Sequence, residues 1–208
     1  MKIILFIFLL IFLTPTSGLK AQQEKLTIIN KQHYIGRLDK QGFYLITTKR
    51  DTVFKLHEAD YFTFKFEDFN RDGYKDIFLE WTGNMPERYS VYLFLPSTGK
   101  FKELRNLNRF PAATQVGRTK YYYSYYRAGC ADNTWGSDLF YIKNYEAIKI
   151  ANIKGEGCGS EEGIYIYKME ADKKNLIHKL PITTIEKYKD YKWGFIKQYW
   201  SKNYNKFL

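Results

Sequence analysis

The sequence predicts a mainly β domain, an antiparallel meander that is propeller-like or simply curved, with an amphipathic helix at its C-terminus. Short runs rich in β-branched and aromatic residues alternate with Gly, Asn, Asp and Pro turns over most of the chain. Apolar residues recur with helical spacing only in the C-terminal tail. No repeat with a period of about 40 residues stands out, so the sequence leaves the closure of a propeller open.

The predicted strands of the first half follow one another with short breaks. They cover residues 26–29, 34–38, 43–48, 53–56, 62–67, 77–81 and 90–95, and Phe101 begins a return strand after the turn at 96–100. The breaks hold turn residues, including Gly42 and the pair Arg50-Asp51 at a hairpin tip. Residues 106–114 have no regular pattern.

A tyrosine-rich strand is predicted over residues 120–126. We interpret its rings as alternating between the core and the wet face of a sheet, with a ligand platform as the alternative. Residues 131–137 are predicted to be a polar loop, and further strands are predicted at 139–142, 147–153, 163–169 and 176–180. The glycine-rich residues 155–159 lack the Lys-Ser/Thr ending of a phosphate loop and predict a turn.

Residues 183–205 are predicted to form a helical tail. Thr183 and Glu186 have the spacing of a capping box. Lysines fill much of one face, and helical spacing relates the apolar residues Ile185, Tyr188, Ile196, Tyr199 and Trp200. Gly194 is predicted to break or kink the segment. We expect the helix to cover an open face of the sheet and to bury both Trp193 and Trp200; a membrane-surface helix is the alternative.

The N-terminus reads as a secretory signal peptide, residues 1–21. Lys2 precedes an unbroken apolar run over residues 3–13, and a small-residue cleavage site ends at Ala21. The run is shorter than the roughly 20 residues that span a bilayer. No second apolar stretch of that length occurs, and no cysteine follows the signal. Residues 22–208 are therefore expected to be one domain, periplasmic or secreted, without a transmembrane segment or lipid anchor.

The chain is basic, with a formal net charge of +11. Residues 1–21 hold two lysines and no acidic residue, so the remainder carries +9. Such a charge favours acidic partners or anionic envelope polymers through a salt-screened field. Coding bias is the alternative, because Lys, Tyr, Asn and Ile are abundant throughout. The export signal argues against nucleic acid as a partner.

The two cysteines, Cys130 and Cys158, predict one disulfide, because an oxidising compartment favours pairing. In the chain-entropy model this bond adds roughly 3–4 kcal/mol to the free energy of unfolding. A reactive thiol pair or a metal site is the alternative. The three histidines are scattered and no C-x-x-C spacing occurs, which favours the disulfide.

A calcium loop is predicted at residues 68–76. Oxygen-bearing side chains occupy positions 1, 3, 5 and 9, a glycine makes the bend at position 6, and position 7 offers a backbone carbonyl: Asp68, Asn70, Asp72, Asp76, Gly73 and Tyr74. Calcium takes six to eight oxygens, so this loop supplies most of a shell. Flanking strands, and Leu79 at position 12, exclude an EF-hand. A polar hairpin turn is the alternative.

No catalytic machinery is recognised, so the protein is predicted not to be an enzyme. Neither a G-x-S-x-G elbow nor an HExxH motif occurs. Glu161 and Glu162, with the loop aspartates, are the remaining candidates for a glycosidase pair. Adjacent surface glutamates are usually solvated, so a weak enzyme on envelope glycans is only an alternative.

Residues 66–78, FEDFNRDGYKDIF, and 92–101, YLFLPSTGKF, carry a resemblance. They are similar to the FG-GAP-type calcium loop of β-propellers, and more closely to exported bacterial proteins in which one such loop precedes a strand-turn-strand. One branch of the latter group is a propeller-like periplasmic immunity protein that inhibits a lysozyme-like hydrolase. The resemblance spans about residues 62–101 and implies ligand roles for Asp68, Asn70, Asp72 and Asp76.

These observations lead to one expected function and two alternatives, of which the weak enzyme on envelope glycans is one. We expect an exported, non-catalytic binding or envelope-associated protein with a structural calcium loop. The resemblance implies the other alternative, an inhibitor or immunity protein whose partner is a peptidoglycan hydrolase. A net positive charge would slow association with hydrolases that are themselves basic.

Overall fold

The computed structural model describes residues 22–57, 60–84, 87–170 and 173–208. The predicted signal peptide lies outside these ranges. The described residues form fifteen strands, paired antiparallel in three sheets, and one α-helix near the C-terminus. The prediction of a mainly β, antiparallel meander with a C-terminal helix is confirmed.

The first two sheets are four-stranded meanders whose spatial order follows the chain. The first sheet consists of β1 (Gln23–Ile29), β2 (Gln32–Asp39), β3 (Gly42–Thr47) and β4 (Thr52–His57). The second consists of β5 (Tyr61–Glu67), β6 (Asp76–Trp81), β7 (Tyr89–Leu95) and β8 (Lys100–Glu103). Short connections keep consecutive strands adjacent, so the predicted strands of this half all fall on observed ones.

The third sheet has the spatial order β15-β14-β13-β12-β10-β9, and β11 also pairs with β12. Its strands are β9 (Thr114–Gln115), β10 (Tyr121–Tyr123), β11 (Tyr126–Gly129), β12 (Thr134–Lys143), β13 (Glu146–Glu156), β14 (Gly163–Glu170) and β15 (Lys173–Leu180). The tyrosine-rich segment is thus two short strands, separated at Ser124 and Tyr125.

The prediction of a loop over residues 131–137 is wrong for its second half. Residues 134–137 belong to β12, where Trp135 is buried opposite Gly155 of β13. β12 pairs with β11 on one side and β13 on the other, and this pairing satisfies the backbone of a stretch whose polar residues suggested a turn. The same pairing extends β13 through Gly155 and Glu156, so the glycine-rich turn begins only after them.

The second sheet is the middle layer, with both faces buried. One face packs on the first sheet, where Leu79 and Phe64 meet Phe43. The other face packs on the third sheet, where Phe78 and Tyr122 share a second core. Successive strand residues point to opposite faces, which is why β6 and β7 are nearly continuous apolar runs.

The tail covers the third sheet, as expected. A 3₁₀ helix at Ile182–Lys187 leads into α1 (Tyr191–Asn203), and a second 3₁₀ turn, Tyr204–Phe207, follows. Phe195, Ile196 and Trp200 of α1 are buried in the third sheet's core. In the described ranges, no helix has the length and hydropathy needed to cross a bilayer.

Three details of the tail differ from the prediction. Gly194 lies inside α1 and does not break it; the chain bends at residues 188–190 instead. A Cβ at Gly194 would overlap the Lys189 carbonyl oxygen, so glycine permits this close approach. The 3₁₀ helix has no side-chain cap bond, so the Thr183 capping box is not formed. Trp200 is fully buried, but Trp193 is 51% exposed because it lies at the edge of the covered face.

Candidate functional site: the 68–76 loop and the cleft beside it

The predicted cation loop connects β5 to β6. Asp68 follows the last residue of β5, and Asp76 is the first residue of β6. The turn passes through positive φ at Arg71 (61°) and Gly73 (93°). Nothing lies near a Cβ built at Gly73, so glycine is favoured there by its backbone conformation rather than by space.

The loop's oxygen-bearing side chains bond to its own backbone. Asp68 accepts hydrogen bonds from the N–H groups of Asp72 (3.1 Å) and Gly73 (2.8 Å). Asp72 accepts one from the Tyr74 N–H (2.9 Å) and one from the Asn70 amide (2.9 Å). These contacts hold the acidic side chains on the inner side of the turn.

Asp76 differs from the other loop acids because it is fully buried. Its two carboxylate oxygens accept hydrogen bonds from the backbone N–H groups of Phe69 and Phe94, both at 2.9 Å. Asp76 therefore ties the start of the loop to β7. Burial is the main cause that raises the pKa of Asp76 to about 7; the nearby Asp72 and Asp68 also raise it, and the hydrogen bonds from the two N–H groups lower it.

The donor chemistry of the loop fits a hard cation. Every predicted ligand is an oxygen: carboxylates at Asp68, Asp72 and Asp76, the amide of Asn70 and the Tyr74 carbonyl. In the part of the chain that the structure describes, however, no three His, Cys, Asp or Glu side chains converge as a metal-holding group. Asp68, Asn70 and Asp72 are instead engaged in the loop's own hydrogen bonds.

The loop also connects the second sheet to the third. The Phe69 ring stacks on Tyr122 of β10, with 5.0 Å between centroids and 8° between planes. The Arg71 guanidinium donates a 2.8 Å hydrogen bond to the Gly117 carbonyl. Residues 68–76 therefore contribute contacts to the junction between these two sheets.

A cleft of about 270 Å³ lies beside this junction. Lys65 lies on one wall, paired with Glu67 at 2.8 Å and positioned over the Tyr89 ring at 4.8 Å. Asp68, Phe69 and Arg71 of the loop line the same cleft. It presents aromatic faces with charges of both signs.

The predicted disulfide joins Cys130 to Cys158, whose Cα atoms lie 6.6 Å apart. It fastens the turn before β12 to the turn after β13. Asp132, in the same turn, binds Lys192 of α1 through its carboxylate (2.8 Å) and accepts a 2.5 Å hydrogen bond from the Tyr125 hydroxyl. The cross-linked turn therefore also anchors the C-terminal helix.

Near β11, one feature agrees with the sequence analysis and one was not found from it. Tyr123, Tyr125 and Tyr126 line a cleft of about 370 Å³ together with the exposed Trp193, so this segment has a wet aromatic face as well as core positions. Asp138 is buried in β12, within a stretch that gave no sign of a charged site. Glu161 and Glu162 are exposed neighbours, as solvated glutamates should be.

No protein-family model and no curated protein matches this chain. Among solved structures, it is similar to one described as the structure of a Xanthomonas type IV secretion system related protein. That likeness has a TM-score of 0.44 and 14% sequence identity, and it covers 76% of this chain and 94% of the other.

Proposed function

We propose that this is an exported, non-catalytic binding protein in which a calcium-held loop maintains a partner-binding cleft. The observation that carries the proposal is the double role of residues 68–76. The loop carries oxygen-bearing side chains at calcium-loop spacing in the sequence. It also supplies Phe69 and Arg71, which join the second sheet to the third and line the cleft.

The ligands would be the side chains of Asp68, Asn70, Asp72 and Asp76 and the carbonyl of Tyr74. When bound, calcium supplies positive charge that offsets the mutual repulsion of three carboxylates, one of them buried. Asp76 keeps its hydrogen bonds from the backbone N–H groups of Phe69 and Phe94. It therefore connects the ordered loop to β7. Extracellular calcium modules bind at roughly 10⁻⁴–10⁻³ M, which suits a structural role.

Calcium dependence of folding tests the loop. With 1 mM calcium and a dissociation constant near 0.1 mM, mass action adds about 1.4 kcal/mol to the free energy of unfolding. For a chain of this size that raises the thermal midpoint by about 3–6 °C. Calcium should produce this rise, magnesium much less, and chelator none.

Asp72→Ala should abolish the calcium-induced rise, whereas the control Asp51→Ala, at the exposed β3–β4 turn, should keep it. An equal midpoint in calcium and in chelator would leave the loop as a polar turn and remove the metal from the proposal.

The resemblance of residues 62–101 indicates which partner to test first, a peptidoglycan hydrolase. If the protein inhibits such an enzyme, adding it stops lysis of a cell-wall substrate. Phe69→Ala should weaken this inhibition while retaining the calcium response, because Phe69 lines the cleft but supplies no ligand. If every hydrolase in a panel remains active when the protein is added, this class of partner is rejected. The calcium-dependence of folding is a separate measurement and is not affected by that result.

A further inference from the structure

A larger cavity, separate from the calcium loop, lies between the segment after β8 and the third sheet. Its volume is about 550 Å³, within the usual range for small-molecule sites. Polar and charged side chains dominate its lining: Arg88, Asn106, Asn108, Arg109, Tyr126, Asp138 and Lys149. None of the predicted calcium ligands is among them.

Asp138 is the negative charge in this cavity, and it is 3% exposed. One carboxylate oxygen accepts hydrogen bonds from the Asn152 amide (2.8 Å) and the Lys149 ammonium (3.2 Å). The Asp138 N–H donates to the Ser124 hydroxyl (3.0 Å). The β12–β13 register shifts between Leu139 and Phe140, where Ile150 of β13 has no partner beside Lys149, and such irregularities are common next to functional sites.

The surroundings fix the Asp138 carboxylate in place. Asn152 also donates toward the Tyr126 hydroxyl at 3.2 Å, which links two cavity-lining groups through a buried amide. Burial raises the pKa of Asp138, and Lys149 opposes that effect. A buried carboxylate is costly to maintain unless it is paired, so its retention beside an open cavity is informative.

Two arginines supply positive charge that Asp138 does not neutralise. Arg88 donates through Nε to the Asn108 carbonyl (3.1 Å) and lies over the Trp81 ring at 5.4 Å; among the described residues, its two terminal nitrogens form no hydrogen bond. Arg109 is exposed at the cavity rim. Over the described ranges, neither arginine forms a salt bridge. Lys149 balances Asp138, so a net positive charge remains.

We propose that this cavity binds the C-terminal carboxylate of an amino acid or short peptide. Arg88 and Arg109 receive the carboxylate, since guanidinium groups match its planar geometry. Asp138 accepts a hydrogen bond from an N–H of the ligand. Asp138 also discriminates against phosphate, because a dianion held near a buried carboxylate is repelled more strongly than a monoanion.

This site goes beyond the proposed calcium-dependent function and does not rest on it. The two assignments therefore fail separately: loss of calcium binding leaves the carboxylate site intact, and loss of the carboxylate site leaves the calcium response intact.

In the test, the protein is titrated with alanyl-alanine, alanyl-glutamate and alanyl-lysine. Binding is measured from the NMR chemical shifts of its indole and backbone N–H groups. The same peptides with amidated C-termini, and inorganic phosphate, are the comparison ligands. At least one free peptide should bind, with its amide weaker by about tenfold or more, as expected for loss of a charge-assisted contact. Calcium and chelator should give the same result.

Arg109→Gln should weaken binding of the free peptide by about tenfold and leave the fold unchanged, because Arg109 is exposed. Arg118→Gln, an exposed arginine outside the cavity, is the matched control and should bind normally. Asp138→Asn should weaken binding of the free dipeptide but not of acetate, which has no N–H and is titrated as a further comparison ligand. The proposal is overturned if the free peptides and their amides bind equally, or if Arg109→Gln binds the free peptide as tightly as the wild type. It is also overturned if phosphate is the only ligand that binds, or if nothing binds.

Discussion

Ser137→Ala is expected to loosen the attachment of α1 to the third sheet. The Trp200 indole N–H donates a 2.8 Å hydrogen bond to the Ser137 hydroxyl, which itself donates a 2.6 Å hydrogen bond to the Ser124 carbonyl. All three residues are completely buried. The mutation therefore removes the Ser137 hydroxyl. The Trp200 indole N–H and the Ser124 carbonyl then remain buried without a hydrogen-bond partner.

The magnitude follows from the number of groups left unpaired. Each buried polar group without its partner costs about 1–3 kcal/mol, so two of them lower the free energy of unfolding by about 2–4 kcal/mol, with partial relaxation. For a chain of this size, that lowers the thermal midpoint by about 4–16 °C. The small volume change of Ser→Ala adds little of its own.

Thermal or urea unfolding measures this effect. Ser160→Ala, at an exposed position of the turn after β13, is the matched control and should change the midpoint by less than about 1 °C. Trp200→Phe is destabilising itself, but adding Ser137→Ala to it should cost less than Ser137→Ala alone, because no indole N–H is then stranded. A Ser137→Ala midpoint equal to that of Ser160→Ala would refute the reasoning.

Two further predictions concern the same sheet. Burial alone would raise the pKa of Asp132, but hydrogen bonds from Lys192 and Tyr125 lower it overall, so this carboxylate stabilises the fold above its unfolded pKa of about 4. Lys192→Met should therefore lower the unfolding midpoint at pH 7, and the gap from wild type should close as the pH falls below about 4; a constant gap would show a packing effect only. Gly155→Ala should lower the free energy of unfolding by about 1–3 kcal/mol in urea titration, because its Cβ would overlap the buried Trp135 indole. An unchanged urea midpoint would mean that the indole moves freely, against its full burial.

Most strands were predictable because the signal for them is local. In β5, for example, Phe64 points to the core while its neighbours Thr63 and Lys65 are only half-buried, and the alternation in the sequence reports this directly. The disulfide was predictable because the chain offers one pair of cysteines. The loop at residues 68–76 was placed correctly between two strands because strand-like runs flank it on both sides.

Misplaced elements share a different cause. Residues 134–137 resembled a loop, yet strands on both sides draw them into the sheet and bury Trp135. Gly194 suggested a helix break, but the absence of a side chain there allows the Lys189 carbonyl to lie close to the helix. In both cases a distant or folded-back segment determined the conformation, and local propensity was overruled.

The sequence by itself determined the strands, the oxygen-rich loop, the single cysteine pair and the helical tail, because each depends on neighbours within a few positions. Only the tertiary structure decided what these elements enclose. It brought Phe69 onto Tyr122, and it placed Arg88, Arg109 and Asp138 around one cavity from three separate segments. Such sites depend on how the sheets pack against each other. Packing brings together residues that are far apart in the sequence, and hydrophobic periodicity does not predict which of them will meet.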